Sequence, residues 1–119
     1  MNTLKIIENE LIEVGVSPNL SGFYYLLHAV NYYLENNKEF YEVSITKDLY
    51  PYVAFKIGGK VTSSCVERSI RHSVEKVYNR LHDKHLDYIS NIDSGKPTNS
   101  SFISYLLIRV KNKINEESN

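Results

Sequence analysis

Apolar residues recur at three- and four-residue steps along most of the chain, and no stretch of useful length alternates with period two. Leu4, Ile7, Leu11 and Val14 predict a helix over 2–14, closed by Gly15. Ser17-Pro18-Asn19 is a break. Phe23, Leu26, Leu27, Val30 and Leu34, with Ala29 beside them, predict a second helix over 21–36, ended by Asn36-Asn37-Lys38. Ser44 is placed to cap a short helical turn, Ile45–Tyr50, that stops at Pro51. Proline suits the first position of a helix, where its missing N–H would find no partner anyway, so a separate short helix is predicted over Pro51–Ile57 with Val53, Ala54 and Ile57 inward. Gly58-Gly59 breaks it. Thr62 or Ser63 then caps a long helix reaching Leu81, with Val66, Ile70, Val74, Val77 and Leu81 in one stripe. Leu86, Ile89 and Ile92 point to one more short helix, and Ser94-Gly95-Lys96-Pro97 to a turn. Thr98 or Asn99 caps a last helix over 100–115 carrying Phe102, Leu106, Val110 and Ile114. The polar tail 115–119 is expected to fray. The chain reads as one all-α domain over 1–119, of about six helices around a central helix-turn-helix at 51–81.

Composition sets the context. A single cysteine, Cys65, allows no intrachain disulfide and favours a reducing compartment. No apolar run approaches the roughly 18 residues of a membrane span, and Met1-Asn2-Thr3-Leu4-Lys5 lacks the features of a secretory leader. The expected location is cytoplasmic, with the nucleoid. Net charge is zero but uneven: residues 1–55 carry three lysines against seven acids, whereas 56–85 carry seven Lys/Arg against three acids and three of the four histidines. A local basic face of this kind is what contact with phosphates requires.

Helix, tight break and helix over 51–81 form a helix-turn-helix layout. With Val66, Ile70 and Val74 buried, helical spacing turns Glu67, Arg68 and Arg71 outward, and brings Ser64 and Cys65 to the N-terminal end. A recognition helix presents that end to the major groove. Arg68 is the candidate for a bidentate contact with guanine O6 and N7, and Glu67 for accepting from cytosine N4. Arg71 and His72 lie one turn later, in reach of base or backbone. The amides and hydroxyls at Ser63 and Ser64 suit a phosphate. Lys56, Lys60, Lys76 and Arg80 are further candidates for backbone contact.

The string Val66-Glu67-Arg68-Ser69-Ile70-Arg71-His72-Ser73-Val74-Glu75 resembles the recognition helix in the C-terminal effector domain of the sporulation master response regulators of endospore-forming bacteria. The likeness covers nearly the whole chain. It includes Gly15-Val16, Gly22-Phe23-Tyr24-Tyr25-Leu26, the stretch Ser44 to Pro51, and Lys96-Pro97-Thr98-Asn99-Ser100. The resemblance implies a six-helix effector domain of the response-regulator class, without a wing. It implies binding of a TGTCGAA-like box in double-stranded DNA, often as a head-to-tail pair on tandem boxes, with Glu67 and Arg68 at the base-reading positions. Three features depart from the family pattern. A 119-residue chain leaves no room for the receiver domain of the full-length regulators, so aspartyl-phosphate control is expected not to operate within it. The turn Gly58-Gly59-Lys60-Val61-Thr62 is longer than the family's, and Cys65 stands where the family usually has arginine. The stretch from Tyr78 to Lys96, the family's contact for the RNA polymerase sigma subunit, is shorter.

Two readings follow. The first is a sequence-specific transcriptional regulator of sporulation-type genes. The second is an antagonist of a full-length regulator, acting by occupying its boxes or by pairing with it. No catalytic constellation, phosphate loop or dinucleotide fingerprint is present, and no enzyme, cofactor or metal is expected. His82 and His85, with Asp87 or Cys65, lack the paired spacing of a zinc site. Cys65 near a helix N-terminus and Arg68 is expected to have a lowered pKa. The tyrosines, among them Tyr24-Tyr25 and Tyr32-Tyr33, are expected to line the core with their hydroxyls at its edge.

Overall fold

A computed structural model describes residues 2–81 and 96–118, and among these there are five α-helices and no strand. Helix α1, Thr3–Val14, begins where the Asn2 side chain accepts the Lys5 N–H at 3.2 Å, and Gly15 closes it with N–H bonds to Leu11 and Ile12. Helix α2, Ser21–Glu35, runs through the middle and packs on all the other helices. Its stripe Leu26, Ala29, Val30 and Tyr33 is completely buried. Helix α3 spans Tyr50–Ile57, α4 Ser63–Leu81 and α5 Asn99–Ser118. The core gathers Leu11, Val14, Leu26, Val30, Leu49, Val53, Val66, Ile70, Phe102 and Leu106 from all five.

Four expectations need correction. Pro51 does not separate two elements. Ile45–Leu49 forms a wide turn of π type, with the Leu49 N–H bonded to the Ser44 carbonyl at 3.0 Å, and it runs directly into α3. Leu49 already has helical dihedrals, and Pro51 falls in the first turn of α3, where no N–H is needed. Residues Phe40–Glu42 make a short 3₁₀ turn where no element is predicted. Glu39 and Glu42 cap it reciprocally, the Glu39 N–H donating to Glu42 Oε1 at 2.8 Å. The last helix is longer than expected: α5 continues past 115 to Ser118, whose hydroxyl donates to the Ile114 carbonyl. Tyr33 and Tyr50 lie in the core as expected, but the Tyr33 hydroxyl is buried and not at the core's edge, and Tyr24 and Tyr41 are exposed. The predicted helix around Leu86, Ile89 and Ile92, and the residues His82, His85 and Asp87, lie outside the described residues. Among the described residues, no helix is long and apolar enough to cross a membrane.

Candidate DNA interface

Helix α4 owes its start to Thr62, whose hydroxyl accepts the Cys65 N–H at 3.1 Å. The turn before it depends on Gly58 and Gly59, at φ +83° and +65°, dihedrals at which a side chain would be strained. Val66, Ile70, Ser73, Val74 and Val77 are buried along one side of α4. That burial fixes the rotation of the helix and turns the opposite side to solvent. Arg68, Arg71, His72 and Lys76 are exposed there with Ser64, while Ser63, Cys65 and Glu67 are half-buried. Lys60 is exposed in the turn ahead of the cap, and Lys56 is exposed in the last turn of α3, its ammonium 5.9 Å from the centre of the Tyr52 ring.

Three neighbours hold this helix in place. Val53 of α3 is fully buried in the core it shares with Val66 and Ile70. On one flank, α2 comes so close at Gly22 that a Cβ there would lie 2.1 Å from Ser73 Oγ and 2.5 Å from the Ser69 carbonyl oxygen. On the other flank, the Asn99 amide nitrogen donates to the Glu67 carbonyl at 3.1 Å. Neither Gly22 nor Asn99 is among the candidates read from sequence. A carboxamide next to a capping threonine, in Pro97-Thr98-Asn99, is the signal that a reading confined to capping passes over.

The electrostatics divide the candidate residues. Glu67 and Arg71 form an i,i+4 pair at 3.3 Å with both side chains partly exposed, an arrangement that stabilises by only about 0.3–0.5 kcal/mol and leaves both groups able to exchange partners. The Cys65 thiol is held below its ordinary range by hydrogen bonding to the Thr62 side chain and then to the Thr62 backbone, with Arg68 adding to the effect. Arg80 is also exposed, but its guanidinium donates to the Gly15 carbonyl, joining the end of α4 to the end of α1. Lys96 meets Glu75 at 3.7 Å. A groove of about 710 Å³ runs beside Glu67 and Arg71, walled by Tyr41, Val43 and Pro97. Among the described residues, no three His, Cys, Asp or Glu side chains gather as a metal site.

A capped helix packed on a short partner across a tight turn, with cations on its outward side, is the geometry of a DNA-reading helix-turn-helix. Comparison with known families agrees. Residues 7–110 match the family described as sporulation initiation factor Spo0A C terminal, the DNA-binding regulatory domain of a sporulation transcription factor and not an enzyme, and the chain belongs to that family.

Proposed function

We propose that the protein regulates transcription by reading a TGTCGAA-like box through the N-terminal half of α4, inserted in the major groove. Arg68 pairs with guanine O6 and N7. Glu67 accepts from cytosine N4, exchanging its contact with Arg71 for the base. Ser63, Ser64, Cys65, Arg71 and His72 lie around these two and meet neighbouring bases or phosphates, and Lys56, Lys60 and Lys76 meet the backbone. Arg80 is left out of this set because its guanidinium is bonded to Gly15. Tandem boxes would seat two copies.

One observation carries the reading. Arg68 is exposed on the second turn of a capped helix whose opposite side is buried, so its guanidinium reaches outward from a rigid support. The test is a binding titration at several salt concentrations with box and scrambled duplexes. Arg68→Ala is expected to cost about 1–3 kcal/mol on the box and to relax base preference. Lys60→Ala or Lys76→Ala is expected to weaken both duplexes alike and to lower the salt slope by about one unit. Equal affinity of the unaltered protein for box and scrambled DNA would refute the reading.

A further inference from the structure

Asn99 opens α5, yet it does not cap it. The Thr98 hydroxyl accepts the Ser101 N–H at 3.0 Å and so takes the capping role. The Asn99 carboxamide is left to reach out of its own helix. Its nitrogen lies 3.1 Å from the Glu67 carbonyl oxygen and 3.1 Å from the Tyr50 hydroxyl. An amide nitrogen carries two hydrogens, and these two acceptors use both. One half-buried side chain thus ties the first turn of α5 to the second turn of α4 and to the first residue of α3. Tyr50 is buried, and burial raises its hydroxyl pKa above the ordinary phenol value although the Asn99 bond opposes it, so at neutral pH it stays an uncharged acceptor.

The bond to α4 falls on the main chain of Glu67 and not on its carboxylate. The carboxylate is turned to Arg71. What Asn99 holds is therefore the stretch of backbone from which both Glu67 and Arg68 project. Base recognition needs side chains held within about 0.5 Å and 10–20° of the productive geometry, a tolerance that a small rotation of this turn exceeds. The Glu67–Arg71 pair cannot supply that constraint, since both of its members are on α4.

We propose that Asn99 is a positioning residue for base discrimination, setting the orientation of the α4 turn that carries Glu67 and Arg68 through the Glu67 carbonyl. The inference rests on the DNA-reading role proposed above. Asn99→Asp is nearly isosteric and removes both N–H donors. The bond to Tyr50 can reverse, its hydroxyl now donating to the carboxylate, but the carboxylate faces the Glu67 carbonyl with no proton between them, so the link to α4 breaks while a link to α3 survives.

The experiment compares box and scrambled duplexes for the unaltered protein, Asn99→Asp and Asn99→Ala, each well below its melting temperature with the folded fraction checked by circular dichroism. For Asn99→Asp the ratio of the two dissociation constants is expected to fall about tenfold. The salt slope on scrambled DNA is expected to stay unchanged, because the phosphate contacts lie elsewhere. A purely structural role would lower melting temperature and both affinities in parallel, and an unchanged ratio overturns the proposal. If Asn99→Asp fails to fold, Asn99→Ala decides: it removes the donor to the Glu67 carbonyl without adding a charge and is expected to lower the ratio about tenfold, whereas a ratio equal to that of the unaltered protein overturns the proposal. If the unaltered protein itself does not discriminate, the DNA-reading role fails and this inference fails with it, a result that the unaltered protein alone separates from the others.

Discussion

Replacing Gly22 with alanine sets two effects of opposite sign against each other. Alanine is the better helix former, by about 0.5–1 kcal/mol in a helix interior and by less in the first turn, where Gly22 lies. The new methyl, however, would lie 2.1 Å from Ser73 Oγ, 2.9 Å from Ser73 Cβ and 2.5 Å from the Ser69 carbonyl oxygen. Carbon contacts are comfortable at about 3.5 Å, so relief at the carbonyl requires α2 and α4 to separate by about 1 Å. A serine hydroxyl can rotate, but the carbonyl is fixed in the α4 backbone. Overpacking of this kind costs about 1–3 kcal/mol. The clash wins, and Gly22→Ala is expected to destabilise by about 1–2 kcal/mol, lowering the melting temperature by several degrees. Urea and thermal unfolding followed by circular dichroism measure both. The double variant Gly22→Ala with Ser73→Ala clears the hydroxyl but not the carbonyl, and should recover only part of the loss. A Gly22→Ala protein at least as stable as the unaltered one would refute the argument, since propensity would then outweigh packing. Complete recovery in the double variant would refute the role given to the carbonyl.

Other substitutions test other links. The Tyr33 hydroxyl is buried without a partner among the described residues, so Tyr33→Phe should be neutral or stabilising by up to about 1 kcal/mol in chemical denaturation, against the usual loss from altering a core residue. Burial, the largest cause, holds its pKa at about 12, above the unfolded value of 10.0; the associated stability is complete below pH 10 and is lost as pH rises toward 12, a loss that the phenylalanine variant should not show. Arg109 joins Glu10 at 2.8 Å and Glu13 at 3.0 Å, with the Glu10 side chain only 4% exposed, so Arg109→Ala strands a buried carboxylate and should cost about 3–5 kcal/mol in urea melts. A cost below about 1 kcal/mol would mean that Glu10 finds water. Burial, and then Lys56, lower the pKa of His28, so the fold favours the neutral ring. That contribution is complete above pH 6.5 and fades as pH falls toward the folded pKa; His28→Gln should flatten the fall in melting temperature over that window.

The parts legible in the sequence are those written in local periodicity. Val66, Ile70, Val74 and Val77 fix which side of α4 is buried, and this turns Arg68, Arg71 and His72 outward. The Thr62 cap and the Gly58-Gly59 turn are equally local. What the sequence hides is set by distant partners. Glu10 looks like a surface acid until Arg109, 99 positions away, comes to cover it. Arg80 looks like a free cation, but Gly15, 65 positions away, takes its guanidinium. Asn99 and Thr98 are interchangeable as caps on paper, and only the approach of Glu67 and Tyr50 decides which one is released. The proline misleads for a different reason: its missing N–H marks a permissible helix start, but a π-type turn delivers the chain to that point without a break.

The arrangement around α4 has a mechanical consequence. A rigid rod is located by supports that do not share a line, and here they are Val53 of α3 beneath it, Gly22 on one flank and Asn99 on the other. Remove any one, and the rod pivots about the remaining two instead of falling away. Changes at these supports should therefore act like adjustments to an instrument's alignment. On the DNA-reading role proposed above, binding to DNA in general would persist while the preferred sequence drifts.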